Sequence, residues 1–360
     1  MKLDSRKTGA GFTLIELMIS FALSMIILTS TVQLFKSGVE ASTLIAQRTE
    51  LQQNARAAIN LISKDVSMAG AGLPPGGIQL ASGGGATTSK FACDQAGTCY
   101  VVNHQYPAGN YMYAIIPGAN NGVQNGVAIP ATGGTADSIT VTYIDYGFPL
   151  FNYNCQVTTA TTIGLTPPVP APVPALPAPN DPAVGLKLGD LVMVSSNVGT
   201  VITEVTTADA TSATLGSPDA LNINQIGGAI GNLGYIKSTS PGPVNCAAYR
   251  VLVVTYYIQV PVNGQSPRLM RQVNGLTPVP VADDIIGMTI SYDLFNDTTG
   301  LNNAEQRDPL SIAGVTPNQI RKVNIAVTAQ SLSQDGAKSQ SLQLATSISA
   351  RNMSFRNRYQ

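Results

Sequence analysis

The chain has 360 residues, of which 11% are charged and 44% are hydrophobic, and its 20 lysines and arginines balance its 20 aspartates and glutamates. The low charge excludes a charge-rich disordered chain, and the zero net charge makes nucleic acid an unexpected partner. One histidine, and four cysteines without CxxC spacing, do not match the His-rich or paired CxxC zinc sites, so no metal and no other cofactor is expected.

The first predicted element is an apolar helix that follows a short, net basic leader. Residues 12–35 carry one charged side chain, Glu16. At about 1.5 Å per residue this segment would span about 36 Å, enough to cross a hydrocarbon core of about 30 Å. The cations before it predict a cytoplasmic N-terminus and an extracytoplasmic location for everything after Phe35. A cleaved secretory signal is the competing interpretation, but the apolar run is long for one and no small-residue cleavage site follows it.

The helical pattern continues beyond the apolar run. Apolar residues recur every three to four positions up to Ala69, and glycines and prolines in residues 70–77 then end the helix. The sequence therefore predicts one long helix in two halves. Residues 12–35 are apolar all round and need lipid or other apolar helices, whereas residues 36–77 form the amphipathic half and its end, which need a folded domain against one stripe.

Gly11 and the following Phe12-Thr13-Leu14-Ile15-Glu16, behind a short basic leader, resemble the start of a type IV prepilin. The resemblance implies that residues 1–11 are a leader removed by a membrane prepilin peptidase. The enzyme would cut between Gly11 and Phe12 and methylate the new amino group of Phe12. The apolar helix would stay in the processed protein.

Glu16 is predicted to be the filament-assembly residue. A lone carboxylate in an apolar helix is costly and needs a positive partner, which the new amino group of Phe12 on a neighbouring subunit would provide. Helices packed with the axial offset that brings these groups together would gain a charge pair. The alternative is that Glu16 is only a carboxylate near a helix start, favoured there by the helix dipole.

Three further segments, residues 61–70, 319–327 and 346–352, resemble the helix end and closing strands of PilW-type minor pilins. The resemblance implies a structural subunit, not an enzyme, that joins other minor and major pilins to initiate a type IV pilus. It implies a position near the tip of the fimbrium, with roles in twitching motility and cell adhesion and a PilY-type adhesin as a candidate partner. Before assembly the protein would be anchored in the inner membrane with a periplasmic head.

Two alternatives to the minor pilin stay open. A J-type pseudopilin of a type II secretion system would share the leader, the apolar helix and a sheet-bearing head. A membrane-anchored protein whose head binds a ligand, such as DNA during uptake, would use the prepilin start only for export.

Residues 78–360 are predicted to form one β-rich head, so that the whole chain is α+β and pilin-like. Period-two alternation predicts antiparallel sheet with one face buried against the helix stripe. Residues 166–182 hold eight prolines and are expected to be an extended, exposed spacer, with a ligand for an aromatic groove as the alternative. The predicted strands span residues 138–144, 186–194, 201–205, 249–260, 285–294, 320–327 and 342–348.

The four cysteines, Cys93, Cys99, Cys155 and Cys246, are predicted to form two disulfides because an extracytoplasmic head lies in an oxidising compartment. Three connectivities are open; the short spacing favours Cys93 with Cys99, which leaves Cys155 with Cys246. No nucleophile signature stands near the single histidine, His104, so no catalytic residue is predicted.

Overall fold

A computed structural model describes residues 11–74, 76–81, 88–107, 111–129, 135–225, 230–261, 265–296, 300–331 and 339–354. The chain divides into two compact units, Met1–Glu50 and Leu51–Gln360. The helices of the described residues are α1 (Leu14–Met68), α2 (Leu233–Ser238) and α3 (Arg351–Ser354), with short 3₁₀ helices at Gln124–Gly126, Leu150–Asn152, Pro309–Ser311 and Pro317–Gln319. The strands are β1 (Ile78–Gln79), β2 (Tyr111–Met112), β3 (Ile115–Gly118), β4 (Ser138–Ile144), β5 (Asn154–Thr159), β6 (Thr162–Thr166), β7 (Leu191–Ser195), β8 (Thr200–Glu204), β9 (Thr207–Ala208), β10 (Ser212–Thr214), β11 (Val244–Gln259), β12 (Arg268–Val273), β13 (Val279–Asp283), β14 (Ile285–Asn296), β15 (Leu301–Gln306), β16 (Ile320–Gln330) and β17 (Ser341–Ser349).

Helix α1 is a single helix of 55 residues, as the sequence predicts. It ends at a pair of glycines, Gly70 and Gly72, whose φ angles are 80° and 74°. Glycine adopts this left-handed conformation without the steric cost that a Cβ brings. A Cβ on Gly72 would also lie 2.6 Å from the Cδ1 atom of Ile144. The buried residues of α1 recur every three to four positions and all lie in the second unit: Leu51, Ala55, Ala58, Ile62, Asp65 and Val66.

The larger sheet of the second unit is organised around the 16-residue strand β11. Strand β11 is rich in valine and tyrosine, which favour strands, and it pairs antiparallel with β5, β7, β4 and β12 along its length. The main path of the sheet is β13-β12-β11-β5-β6-β10-β9, with β3 on β4 and β8 on β7. A single long strand therefore connects the parts of this sheet.

A second antiparallel sheet has the order β15-β14-β16-β17, and β1 pairs with β2. The α+β, pilin-like class predicted from the sequence is confirmed, and each of the seven predicted strands overlaps an observed one. The two largest differences are at strand starts: β11 begins at Val244, before the predicted residue 249, and β7 begins at Leu191, after the predicted residue 186. The residues before β7 turn instead, because Gly189 has a φ of 88° and the Asp190 N–H donates to the Lys187 carbonyl.

Two hydrophobic clusters lie in the second unit. The larger one unites the apolar stripe of α1 with residues of both sheets, including Ile62, Ile139 and Ile325. The smaller one is formed by β5, β6, β7, β8, β10, part of β11 and helix α2. The proline-rich residues 167–182 contain no strand and lie between β6 and β7, with Val169 95% exposed.

Asp65 joins the last turns of α1 to the larger sheet. It is 2% exposed. Its Oδ1 accepts a hydrogen bond from the Tyr143 hydroxyl at 2.9 Å, and its Oδ2 accepts from the Tyr256 hydroxyl at 2.5 Å and from Arg271 Nε at 2.8 Å. These donors belong to β4, β11 and β12, so one carboxylate connects the helix with three strands.

Burial and the neighbouring charges shift the pKa values of the tyrosines and the arginine that bind Asp65. Burial, followed by the neighbouring Asp65 carboxylate, raises the pKa values of Tyr143 and Tyr256, so both hydroxyls remain donors. Burial opposes the charge on Arg271, but the hydrogen bond to Asp65, the attraction of that carboxylate and the contact with Tyr256 together outweigh burial and raise the pKa of the guanidinium. The result is a buried ion pair whose carboxylate has a donor on each oxygen.

Candidate processing and assembly site

The start of α1 is a capping box formed by Thr13 and Glu16. The Glu16 N–H donates to the Thr13 hydroxyl oxygen at 3.3 Å, and the Thr13 N–H donates to a Glu16 carboxylate oxygen at 3.3 Å. The Thr13 hydroxyl also lies 3.2 Å from that carboxylate oxygen. These reciprocal bonds satisfy backbone N–H groups that the first turn of a helix leaves without a partner.

The predicted cleavage residues lie directly before this capping box. Gly11 and Phe12 are exposed and precede the first helical residue, Leu14. The first ten residues of the predicted leader lie outside the described residues. The predicted cleavage bond between Gly11 and Phe12 therefore lies in exposed chain that is not helical.

Thr13 is the residue of this site that the sequence analysis missed. Its signal is present in the sequence, since Thr or Ser followed three residues later by Glu, just before an apolar run, is the capping-box pattern. In the single chain Glu16 caps its own helix through hydrogen bonds, a local role that the helix-dipole alternative did not include. The capping bonds leave Glu16 exposed, so its carboxylate remains accessible to a second partner.

The described Ser and Thr hydroxyl groups in the apolar half of α1 are hydrogen-bonded within the helix, as a membrane environment favours. Five Ser and Thr hydroxyls each donate to the backbone carbonyl four residues earlier, so none of them needs a partner outside the helix. Of the helices described here, α1 is long and apolar enough to cross a membrane, and none of its most apolar 18-residue stretch is buried. The five hydroxyls belong to Ser20, Ser24, Thr29, Ser30 and Thr31.

Comparison with known proteins identifies the same region. Residues 6–32 match the family model of the prokaryotic N-terminal methylation motif. No curated protein and no solved structure matches the chain. The motif, the apolar helix that carries it and the antiparallel head together support a type IV prepilin-like protein, in the class of pilins and pseudopilins, anchored in a membrane by this helix.

Both disulfides expected in the head are present, with Cys93 paired to Cys99 and Cys155 paired to Cys246. The second disulfide joins directly opposed residues of β5 and β11. The sulfurs of the first lie close to His104, the one group of potential metal ligands found together in the described part of the chain. Because the disulfide uses both sulfurs, it leaves no thiolate to bind an ion there.

The loop closed by Cys93 and Cys99 positions a buried carboxylate. Gln95 in this loop donates to Oε1 of Glu204, which is 1% exposed at the end of β8, and the Leu221 N–H donates to Oε2 at 2.9 Å. Burial raises the pKa of Glu204 to about 7; the Gln95 bond opposes this rise and the nearby Asp219 carboxylate adds to it. Glu204 is therefore uncharged below neutral pH in the folded protein.

The free energy of unfolding is expected to increase as the pH falls from about 8 to about 5. Over this range Glu204 takes up a proton in the folded chain near pH 7, whereas in the unfolded chain it does so only near 4.5. The folded state binds more protons, so its stability declines as the pH rises, by at most about 3 kcal/mol. Chemical denaturation at several pH values measures this slope.

Glu204→Gln is the matched variant for this measurement. The amide keeps an acceptor oxygen for the Leu221 N–H and can donate to Asp219, as the protonated acid does, but it does not titrate. Gln95 would have to turn its own amide so that its oxygen accepts from the new NH2 group. The variant is expected to be more stable than the natural protein at pH 8 and equal to it near pH 5. If the free energy of unfolding depends on pH equally in the two proteins, this pH dependence does not come from Glu204.

Proposed function

We propose that this protein is a minor pilin, a structural subunit of a type IV pilus without enzymatic activity. The observation that carries the proposal is the methylation motif at residues 6–32, placed at the start of an apolar helix that continues into a disulfide-bonded antiparallel head. The prepilin peptidase removes residues 1–11 and methylates Phe12. Residues 12–35 then hold the protein in the inner membrane until they enter the filament core.

The size and surface of the head support a place near the pilus tip. The second unit spans Leu51–Gln360, and the segment between β6 and β7 presents Val169 and Val173, which are 95% and 99% exposed. A subunit inside the shaft is packed by neighbours on its sides and above, whereas a tip subunit has free space above its head. In this position the protein helps to initiate assembly with other minor and major pilins and can present a PilY-type adhesin, as its resemblance to PilW-type minor pilins implies.

Processing is expected to leave Phe12 as an N-methylated first residue. Intact mass and N-terminal sequencing of membrane-extracted protein measure this in cells with and without the peptidase. Gly11→Val should retain the leader because the cleavage residue is changed. Gly38→Ala is the matched control: it also alters a glycine, but within α1, where a Cβ meets nothing within 4 Å, and it should be processed normally. An uncut chain in peptidase-positive cells contradicts the proposal.

The pilus and secretion roles are separated by deleting the gene and scoring two phenotypes. Loss of surface pili and twitching with normal protein secretion supports the minor pilin. Loss of type II secretion with normal pili identifies a J-type pseudopilin instead, because that protein shares the processing motif and the membrane helix.

A further inference from the structure

Strand β17 is the last strand of the four-stranded sheet, and its outer side has no neighbour among the described residues. Its pairing with β16 runs from Lys322 opposite Ser349 to Gln330 opposite Ser341 without any shift of register. The strand is thus nine residues of regular, unbulged backbone at a sheet edge.

Two hydrogen bonds at the ends of the ladder show which backbone groups point outward. The Ala350 N–H donates to the Arg321 carbonyl at 2.9 Å, and the Ser331 N–H donates to the Gln340 carbonyl at 3.0 Å. Opposed residues in an antiparallel ladder alternate between hydrogen-bonded and non-hydrogen-bonded pairs. Even-numbered residues of β17 therefore bond to β16. The residues whose N–H and C=O groups point to the free edge are Ser341, Gln343, Ala345, Ser347 and Ser349.

This edge lacks the features that protect sheet edges in natural proteins. Charged side chains, proline and bulges prevent edge strands from pairing with other chains. Strand β17 has no charged residue, no proline and no bulge. By contrast, β13 contains Pro280 and Asp283 and is bulged against β12, and β15 contains Glu305 with a φ of 55° and is bulged against β14.

The side chains of β17 are also only half covered. Its odd-numbered side chains are exposed, and its even-numbered ones are half-buried. Leu342, Leu344 and Ile348 pack against the larger hydrophobic cluster from one side. A strand added at the free edge would place its own aliphatic side chains beside these three and complete their cover.

We propose that β17 is a strand-addition site that binds an extended, uncharged segment of a different polypeptide chain in antiparallel pairing. The partner strand alternates aliphatic residues, which face the core side, with small polar residues, which face solvent, as β17 does. Its backbone satisfies the outward N–H and C=O groups of β17, and this main-chain pairing supplies the affinity. The identity of the partner as another filament subunit rests on the proposed function; the ability of the edge to bind a strand does not.

Binding of a synthetic peptide with the sequence of Ser341–Ser349 tests the edge on the full-length, oxidised protein in detergent. Fluorescence anisotropy of the labelled peptide gives the affinity, and hydrogen exchange reports the β17 amides. Saturable binding that slows exchange within residues 341–349 supports the proposal. A peptide with proline at the positions of Gln343 and Ser347 should not bind, because it cannot donate from those positions, and this control leaves the protein unchanged.

Ala345→Pro removes one outward N–H from the protein and no bond to β16. It is expected to weaken peptide binding about tenfold or more, whereas Ala345→Thr, which keeps the N–H, should bind as the natural protein does. Equal binding by Ala345→Pro or the absence of exchange protection would overturn the proposal. A purified protein already dimeric through β17 would also overturn it, because the occupant would then be a second copy of this chain and not a different polypeptide. These outcomes do not depend on leader processing or piliation, so the proposed function is tested separately.

Discussion

Replacing Asp65 by alanine is expected to lower the free energy of unfolding by about 3–5 kcal/mol. The change removes the acceptor of the Tyr143 and Tyr256 hydroxyls and of Arg271 Nε, and it leaves the guanidinium charge without its partner in a largely buried site. Removing one member of a buried ion pair costs more than the pair itself contributes, because the remaining charge is still desolvated. Chemical denaturation of the oxidised protein measures the loss.

Two further variants show whether the charge or the packing is responsible. Asp65→Asn keeps one acceptor oxygen and nearly the same shape, so it should lose less than the alanine variant. Removing both charges, with Asp65→Leu and Arg271→Met together, should recover part of the loss because no buried charge is then unpaired.

Asp283→Ala is the matched control for the effect of removing an ion-paired aspartate. Asp283 pairs with Arg268 at 3.7 Å, but its side chain is 65% exposed. An exposed pair contributes about 0–1 kcal/mol, so this variant should be nearly neutral. A loss for Asp65→Ala no larger than that for Asp283→Ala would contradict the assignment of Asp65 as the residue that joins helix and sheet.

The partners of Asp65 could not be found from the sequence, although α1 itself could. The length of α1, its apolar half and its buried stripe follow from local periodicity, which needs no knowledge of the fold. The donors to Asp65 lie 78, 191 and 206 residues away along the chain. Only the pairing of β4, β11 and β12 brings them together, and a single sequence does not specify that pairing.

The strands that the sequence analysis missed have specific local causes. The β5–β6 hairpin turns at Ala160 and Thr161, which carry none of the Gly, Asn or Asp signals of tight turns. In β12 the register against β13 shifts between Leu269 and Met270, so two buried apolar residues stand side by side and break the alternation. The predicted strands β4 and β16 instead alternate apolar with polar or small residues over most of their length.

Replacing Glu16 by glutamine is expected to reduce incorporation into filaments about tenfold or more while leaving membrane insertion unchanged. Glutamine serves as well as glutamate at this position of a capping box, so the start of α1 is kept. What it loses is the negative charge, and with it the proposed pairing to the amino group of Phe12 on a neighbouring subunit. A charge pair worth more than about 1.4 kcal/mol in an apolar filament core accounts for a tenfold effect. Quantitative immunoblotting of sheared pili against membrane fractions measures it.

The capping box offers the matched control. Thr13→Val keeps the shape of the side chain and the charge of Glu16 but removes the hydroxyl that accepts from the Glu16 N–H, at a cost of about 1 kcal/mol to the helix start. If the charge drives assembly, Thr13→Val should assemble nearly normally while Glu16→Gln does not. The reverse order, with Glu16→Gln assembling and Thr13→Val failing, would mean that Glu16 acts only by capping its own helix. The Glu16 carboxylate takes part in the capping bond within one chain and in the proposed charge pair between two chains. The two variants therefore separate these two interactions.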